Sequence, residues 1–165
     1  VLTKLFNRSF FTEEMNRLER SVLRPVSAIY IDVNGLKLIN DERGHDVGDD
    51  LLRRMGNILS RSVSKSGYTA SRIGGDEFIV LLPGANEATT ESVVMSIEEL
   101  LNIDNQYYAS QPISIAMGCA TSELGENMEQ MLKRADQMMY RKKKDYYNYL
   151  AEPLTDLHME PLQLT

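Results

Sequence analysis

The chain has one cysteine, fewer cations than acids, and no long apolar run. Cys119 by itself cannot close an intrachain disulfide; lying in the apolar stretch ISIAMGCA, it reads as a small core residue in a protein suited to a reducing compartment. No apolar stretch approaches the roughly 20 residues that a membrane helix needs, and no signal-peptide pattern opens the chain. The expectation is a soluble, cytoplasmic domain that makes no membrane contact itself, even if the full-length protein is membrane-anchored. With 18 Lys and Arg against 24 Asp and Glu, the formal net charge is −6, which argues against a generic binder of DNA or RNA. A small anionic ligand gripped by a few local cations stays open. Repeats, low-complexity tracts and dividing linkers are also missing. What is present is an ordinary globular composition, 42% apolar and 25% charged over 165 residues, enough for one domain with a sizeable core. The chain starts at Val1 directly on a patterned segment, so a piece of a longer protein is expected.

The segment NRSFFTEEMNRLERS sets Phe11, Met15 and Leu18 on one helical face, with Asn7 or Ser9 as the cap. Residues 26–33, VSAIYIDV, form a β-rich apolar run expected as a central strand buried on both faces, with Asp32 interrupting its end. In DVGDDLLRRMGNILSRSV, Leu51, Leu52, Met55, Ile58 and Leu59 recur at helical spacing behind an acidic first turn. Next comes SRIGGDEFIVLLP, where Gly74 and Gly75 lie between two β-prone runs and predict a tight I′ or II′ hairpin turn with positive φ. NEATTESVVMSIEELLN predicts a helix, PISIAMGCAT a strand, and NMEQMLKRADQMMYRKKK a last helix with its cations at the C-terminal end. Met128, Met131, Met138 and Met139 are expected to fill core and interface gaps. Residues 146–165 are poorly patterned, which suggests a domain over 1–150 and a tail over 151–165.

From residue 26 the order is β, α, β, β, α, β. This is an α+β, ferredoxin-like (βαββαβ) central antiparallel sheet flanked by helices, with added N- and C-terminal helices. In that sheet the first strand and the strand after the hairpin are adjacent and central, so Asp32 is expected to face Asp76, with Glu77 beside them. A carboxylate buried there needs a cation or water. Clustered hard oxygen ligands suit Mg²⁺, which takes one or two protein carboxylates and completes its shell with water and substrate phosphates. Plainer readings exist for several residues. Asp76 and Glu77 alone fit a solvated hairpin mouth, Asp49 shares its turn with Asp46 and Asp50 as a helix-dipole acid, and Asn40 fits a turn in IND. His45 is expected to be structural, packed or bonded near its loop. The RKKK run reads as a solvated helix end in which only Lys143 stands out.

The residues Gly74-Gly75-Asp76-Glu77-Phe78 spell the name of the GGDEF domain of diguanylate cyclases, and the resemblance runs from Leu2 to about Lys144. LTKLFNR is similar to the family's opening block, DVNGLKLINDERGHDVGDDLL to its long central segment, and LKRADQMMYRKKK to its closing helix. The resemblance implies a fold like the palm of nucleotidyl cyclases and polymerases. It also implies condensation of two GTP into cyclic di-GMP with loss of two pyrophosphates, each subunit of a homodimer presenting one GTP. Asp32, the carbonyl of Val33 and Asp76 would hold Mg²⁺ or Mn²⁺, with Glu77 as an additional ligand, and Asp76 would accept the proton. Asn40 and Asp49 match the guanine readers, the amides of Gly35 and Leu36 a phosphate cradle, and Lys37 and Lys143 phosphate-binding lysines. A sensor or regulatory domain is expected N-terminal to such a module. A degenerate domain that binds GTP and regulates an attached module is the alternative.

Two departures from the family pattern stand out. Tyr147 occupies the position where the family usually has an Arg that grips phosphates together with Lys143, and Tyr146 stands where it has Gly, suggesting a different helix end. Weaker triphosphate binding is expected. Upstream of the hairpin, Lys65 and Tyr68 replace the R-x-x-D of many members, so product inhibition through that site is not expected.

Overall fold

A computed structural model describes residues 2–64 and 67–151. The elements are α1 (Arg8–Arg20), β1 (Val26–Val33), α2 (Leu36–Arg43), α3 (His45–Val63), β2 (Thr69–Arg72), β3 (Glu77–Pro83), α4 (Glu87–Tyr107), β4 (Ile115–Thr121) and α5 (Met128–Ala151). The four strands form one antiparallel sheet in the order β2-β3-β1-β4. The α+β architecture and the central, adjacent placement of β1 and β3 are as expected.

Alternation along the strands divides the core into two layers. Ile29, Ile31 and Val33 of β1, with Phe78, Val80 and Leu82 of β3, pack under Leu51, Met55 and Ile58 of α3 and Ile97 of α4. Val26, Ala28, Ile79 and Leu81 point the other way, onto Phe11 and Leu18 of α1 and Met128, Met131 and Ala135 of α5. Each large aliphatic side chain so buried contributes about 1.5–3 kcal/mol. Helix α1 starts where Asn7 Oδ1 accepts the Phe10 N–H at 2.9 Å, fulfilling one of the two cap expectations.

One close approach places the C-terminal half of α5. A Cβ built on Gly118 of β4 would lie 2.2 Å from Met139 N and 2.3 Å from Ala135 O. The absent side chain lets the α5 backbone rest directly on the sheet. From that seat the next turn carries Lys143 past the end of β1, where it meets Asp32.

Several boundaries differ from the sequence reading. Gly74 and Gly75 do not adopt positive φ, and residues 73–76 form a four-residue connection between β2 and β3 rather than a two-residue I′ or II′ turn. The connection is held instead by Arg72, whose guanidinium donates to Gly74 O and Gly75 O, and by Ile73 N–H donating to Glu77 O. Helix α2 was not foreseen. It is eight residues long with Leu36 as its one buried residue, too short to show a period, and Gly44 at φ 90° separates it from α3. Asn40 therefore lies in a helix and not in a turn. His45 opens α3 exposed rather than packed. Helix α4 runs on to Tyr107 and α5 to Ala151, past Tyr146, in keeping with the different helix end expected from that residue. Met128, Met131 and Met139 are core residues, whereas Met138 is 44% exposed. Among the described residues no helix is long and apolar enough to cross a membrane.

Candidate functional site

Asp32 is the penultimate residue of a strand that is otherwise apolar, and the sheet carries it inward with its neighbours: it is 3% exposed. Its register partner is Glu77, not Asp76. Asp76 lies one residue outside the ladder, where its carbonyl accepts the Val33 N–H at 2.9 Å. Both acids still converge on one point, because Lys143 Nζ is 2.5 Å from Asp32 Oδ2 and 3.9 Å from Asp76 Oδ2. Directly opposed residues of an antiparallel pair share a face, so Glu77 lies on the side of Asp32. Its Oε2 accepts from Tyr30 Oη at 3.1 Å.

Burial dominates the electrostatics. It pushes the Asp32 carboxyl up to about 6; the hydrogen bond from Lys143 opposes this and the neighbouring Asp76 reinforces it. Burial pulls Lys143 down, but its bond to Asp32 and the charges of Asp32 and Asp76 outweigh that and raise it. Tyr30 is raised first by burial and then by Glu77. The second carboxylate oxygen of Asp32, Oδ1, is buried without a hydrogen-bond partner.

That orphaned oxygen is the test of the metal expectation. An anionic oxygen removed from water and left unpaired is costly, and a divalent cation is a partner that satisfies it together with the neighbouring carboxylate of Asp76. Among the described residues no group of three or more His, Cys, Asp and Glu is disposed to hold a metal. Two carboxylates, those of Asp32 and Asp76, thus stand about one Lys143 ammonium, while Glu77 is turned to Tyr30. A pair of carboxylates suffices for Mg²⁺ when phosphates and water supply the remaining positions, so the residues fit the group.

The other expected site residues gather at the α2 and α3 hairpin. Gly35 adopts φ 69° as the residue before α2, a left-handed backbone that glycine takes without strain, and Leu36 begins the helix buried. Lys37 stands exposed on the first turn. Asn40 points at α3: a Cβ on Gly48 would lie 1.8 Å from Asn40 Oδ1, so only glycine admits the amide there. That Oδ1 is buried without a hydrogen-bond partner. Asp49, half-buried, follows Gly48 directly. Lys143 does not join this group but spans the two carboxylates.

Four residues escaped the sequence reading. Tyr30, two residues before Asp32 and therefore on the same face of β1, holds Glu77, a placement its period-2 spacing could have signalled. Asn34, 4% exposed, donates to Ser114 Oγ and receives no bond at Oδ1. Gly48 carries no sequence signal beyond being a glycine in a helix. Tyr147, read only as a missing Arg, reaches Gly35, whose N–H points at its hydroxyl at 3.4 Å. Tyr68 is partly buried and packs against the core. Lys65 lies outside the described residues.

The sequence matches the family described as "Diguanylate cyclase, GGDEF domain" over residues 1–148. It is 35% identical over 161 residues to the signaling protein YkoW of Bacillus subtilis, covering 91% of this chain and 20% of that protein. It is 30% identical over 148 residues to the probable diguanylate cyclase DgcT of Escherichia coli, covering 86% of this chain and 32% of the relative. The chain thus spans between a fifth and a third of these two curated relatives. Among solved structures, the GGDEF domain of DgcB from Caulobacter crescentus in complex with c-di-GMP is similar with a TM-score of 0.74 at 25% identity, over 88% of this chain and 87% of that one.

Proposed function

Since the chain belongs to the GGDEF domain family of diguanylate cyclases, we propose that it condenses two GTP molecules into cyclic di-GMP as the catalytic module of a longer signalling protein. The observation that carries this reading is the buried, half-satisfied Asp32 carboxylate beside Asp76 at one rim of the sheet. Each of two copies of the chain would present one GTP. The 3′-oxygen of one nucleotide attacks the α-phosphorus of the other, a new P–O bond forms, pyrophosphate leaves, and the hydroxyl proton passes to Asp76. The second condensation repeats the step in the opposite sense.

Asp32, Asp76 and the Val33 carbonyl would hold Mg²⁺, or Mn²⁺ in its place. The cation supplies neutralisation of the α-phosphoryl charge and a lower pKa for the attacking hydroxyl. The remaining work belongs to the chain. Asn40 and Asp49 orient the guanine, the carboxylate accepting from ring N1 and the exocyclic amine, which rejects adenine by leaving polar groups unpaired. The amides of Gly35 and Leu36 and the charge of Lys37 position the phosphates, and Lys143 joins them on release from Asp32. Glu77, held by Tyr30, is an additional ligand once it turns inward. We assign residues 1–150 to this domain and 151–165 to a tail, place the domain in the cytoplasm, and expect a sensor or regulatory domain N-terminal to it.

A second reading, favoured by Tyr147, is a domain that binds GTP and regulates an attached module without turnover. Incubating the protein with GTP and Mg²⁺ and separating the products by chromatography distinguishes the two. Cyclic di-GMP and pyrophosphate in a 1:2 ratio, lost in Asp76→Asn, are expected. A dimeric sample that binds GTP yet yields no product refutes the cyclase in favour of the binding domain, and full activity in Asp76→Asn refutes the role given to that residue.

A further inference from the structure

The last turns of α5 do more than lack an arginine. Gly35, the residue before α2, has no side chain to cap the helix, and its own N–H is directed at Tyr147 Oη, 112 residues away in the chain. Tyr146 stands against the same point, its hydroxyl 4.0 Å from the position of a Gly35 Cβ, and the two rings meet edge to face with centroids 5.4 Å apart. One turn earlier, Lys143 bridges Asp32 and Asp76. Side chains from one helix thus cover both the amide and the carboxylates that the proposed reaction needs free.

We propose that Tyr147 is the residue that sets nucleotide access in this chain: its hydroxyl holds the Gly35 amide in the nucleotide-free protein, and a triphosphate binds only by displacing it. This rests on the function proposed above. It also differs from a missing clamp in the sign of what it predicts. If Tyr147 is only an absent arginine, shortening it changes nothing. If its hydroxyl grips phosphate, shortening it weakens binding. A competitor for Gly35, once removed, leaves binding tighter. The contact exists because α5 continues unbroken beyond Lys143 to Ala151, which brings both tyrosines over the loop after β1. A phenol is suited to such a role: it is neutral, it accepts one amide hydrogen bond as a phosphate oxygen does, and it brings none of the five guanidinium donors that would favour a bound anion.

Isothermal titration of 3′-deoxy-GTP in Mg²⁺ tests this, because the nucleotide lacks the attacking hydroxyl and reports binding without turnover. Releasing one long, exposed hydrogen bond, Tyr147→Ala is expected to bind roughly twofold tighter than the natural chain. Tyr147→Phe removes the same hydrogen bond and is expected to gain about as much. A second measurement needs no nucleotide: hydrogen exchange at the Gly35 amide, followed by NMR, is expected to speed up in Tyr147→Phe. Equal or weaker nucleotide binding by Tyr147→Ala, or unchanged Gly35 exchange in Tyr147→Phe, overturns the proposal while leaving the GTP reading in place. If neither the natural chain nor the variants bind the nucleotide, with α5 intact by circular dichroism, the GTP reading falls and this inference with it.

Discussion

Replacing Asp32 with Asn is expected to stabilise the metal-free protein at neutral pH while removing the function assigned to the residue. The carboxyl is 3% exposed with one oxygen unpartnered, and burial lifts it from 3.8 to about 6, opposed by Lys143 and reinforced by Asp76. A tenfold change in proton affinity is worth about 1.4 kcal/mol, so the charged form is disfavoured in the native state by at most about 3 kcal/mol at neutral pH. The attraction of Lys143 is already contained in that figure. The Asn carbonyl accepts from Lys143 more weakly than a carboxylate does, so the expected gain is reduced to about 1–2 kcal/mol. For a chain of this length that is a rise in Tm of roughly 2–8 °C. The native carboxyl keeps its proton to a higher pH than the unfolded one, so this group's contribution to stability falls as pH rises through about 4 to 6. An amide at this position does not titrate, so the Asp32→Asn variant lacks that dependence. Urea denaturation in EDTA across that range should find the two proteins converging at the acid end and the variant ahead at the neutral end. Added Mg²⁺ and 3′-deoxy-GTP should stabilise the natural chain and not the variant. A variant no more stable than the natural chain at neutral pH, or a gap indifferent to pH, would refute the claim that a buried charge is held at a cost for the cation.

Gly118→Ala is expected to destabilise the fold by roughly 3 kcal/mol or more, since its Cβ meets the α5 backbone at 2.2 Å and cannot be relieved by a rotamer change. Thermal unfolding checks this, and a near-natural Tm would show that α5 can shift off the sheet. Asp49→Ala is expected to lower the preference for GTP over ATP by roughly tenfold or more, the loss of a base-reading hydrogen bond to a charged group. Competition titration with the two nucleotides reads it directly, and an unchanged preference would place base recognition elsewhere.

The single-sequence reading reached the strand pattern for one reason: burial imposes periods. The apolar run of β1 could only be a two-sided core strand, and once β1 and β3 were central and antiparallel, Asp32 had to approach the residues after Gly75. The α3 stripe of Leu51, Met55 and Ile58 and the Asn7 cap were legible in the same way. Helix α2 was not, because eight residues with one buried side chain carry no measurable period. Two details were not legible: the β1–β3 ladder sets Glu77, not Asp76, opposite Asp32, and a four-residue connection stands where a two-residue turn was expected, since neither register nor loop length follows from a hydrophobic period.

By itself, then, the sequence determined which residues are buried, which strands are central, and which acids end up at the same rim, because hydrophobic spacing is a local property. Only the tertiary structure decided who partners whom at that rim. Lys143 lies between Asp32 and Asp76, Tyr30 holds Glu77, Gly48 admits Asn40, and Tyr147 reaches Gly35. Those pairings join residues far apart in the chain, and their geometry follows from how closely α5 rests on Gly118 and α3 on α2, distances that no pattern of residues encodes alone.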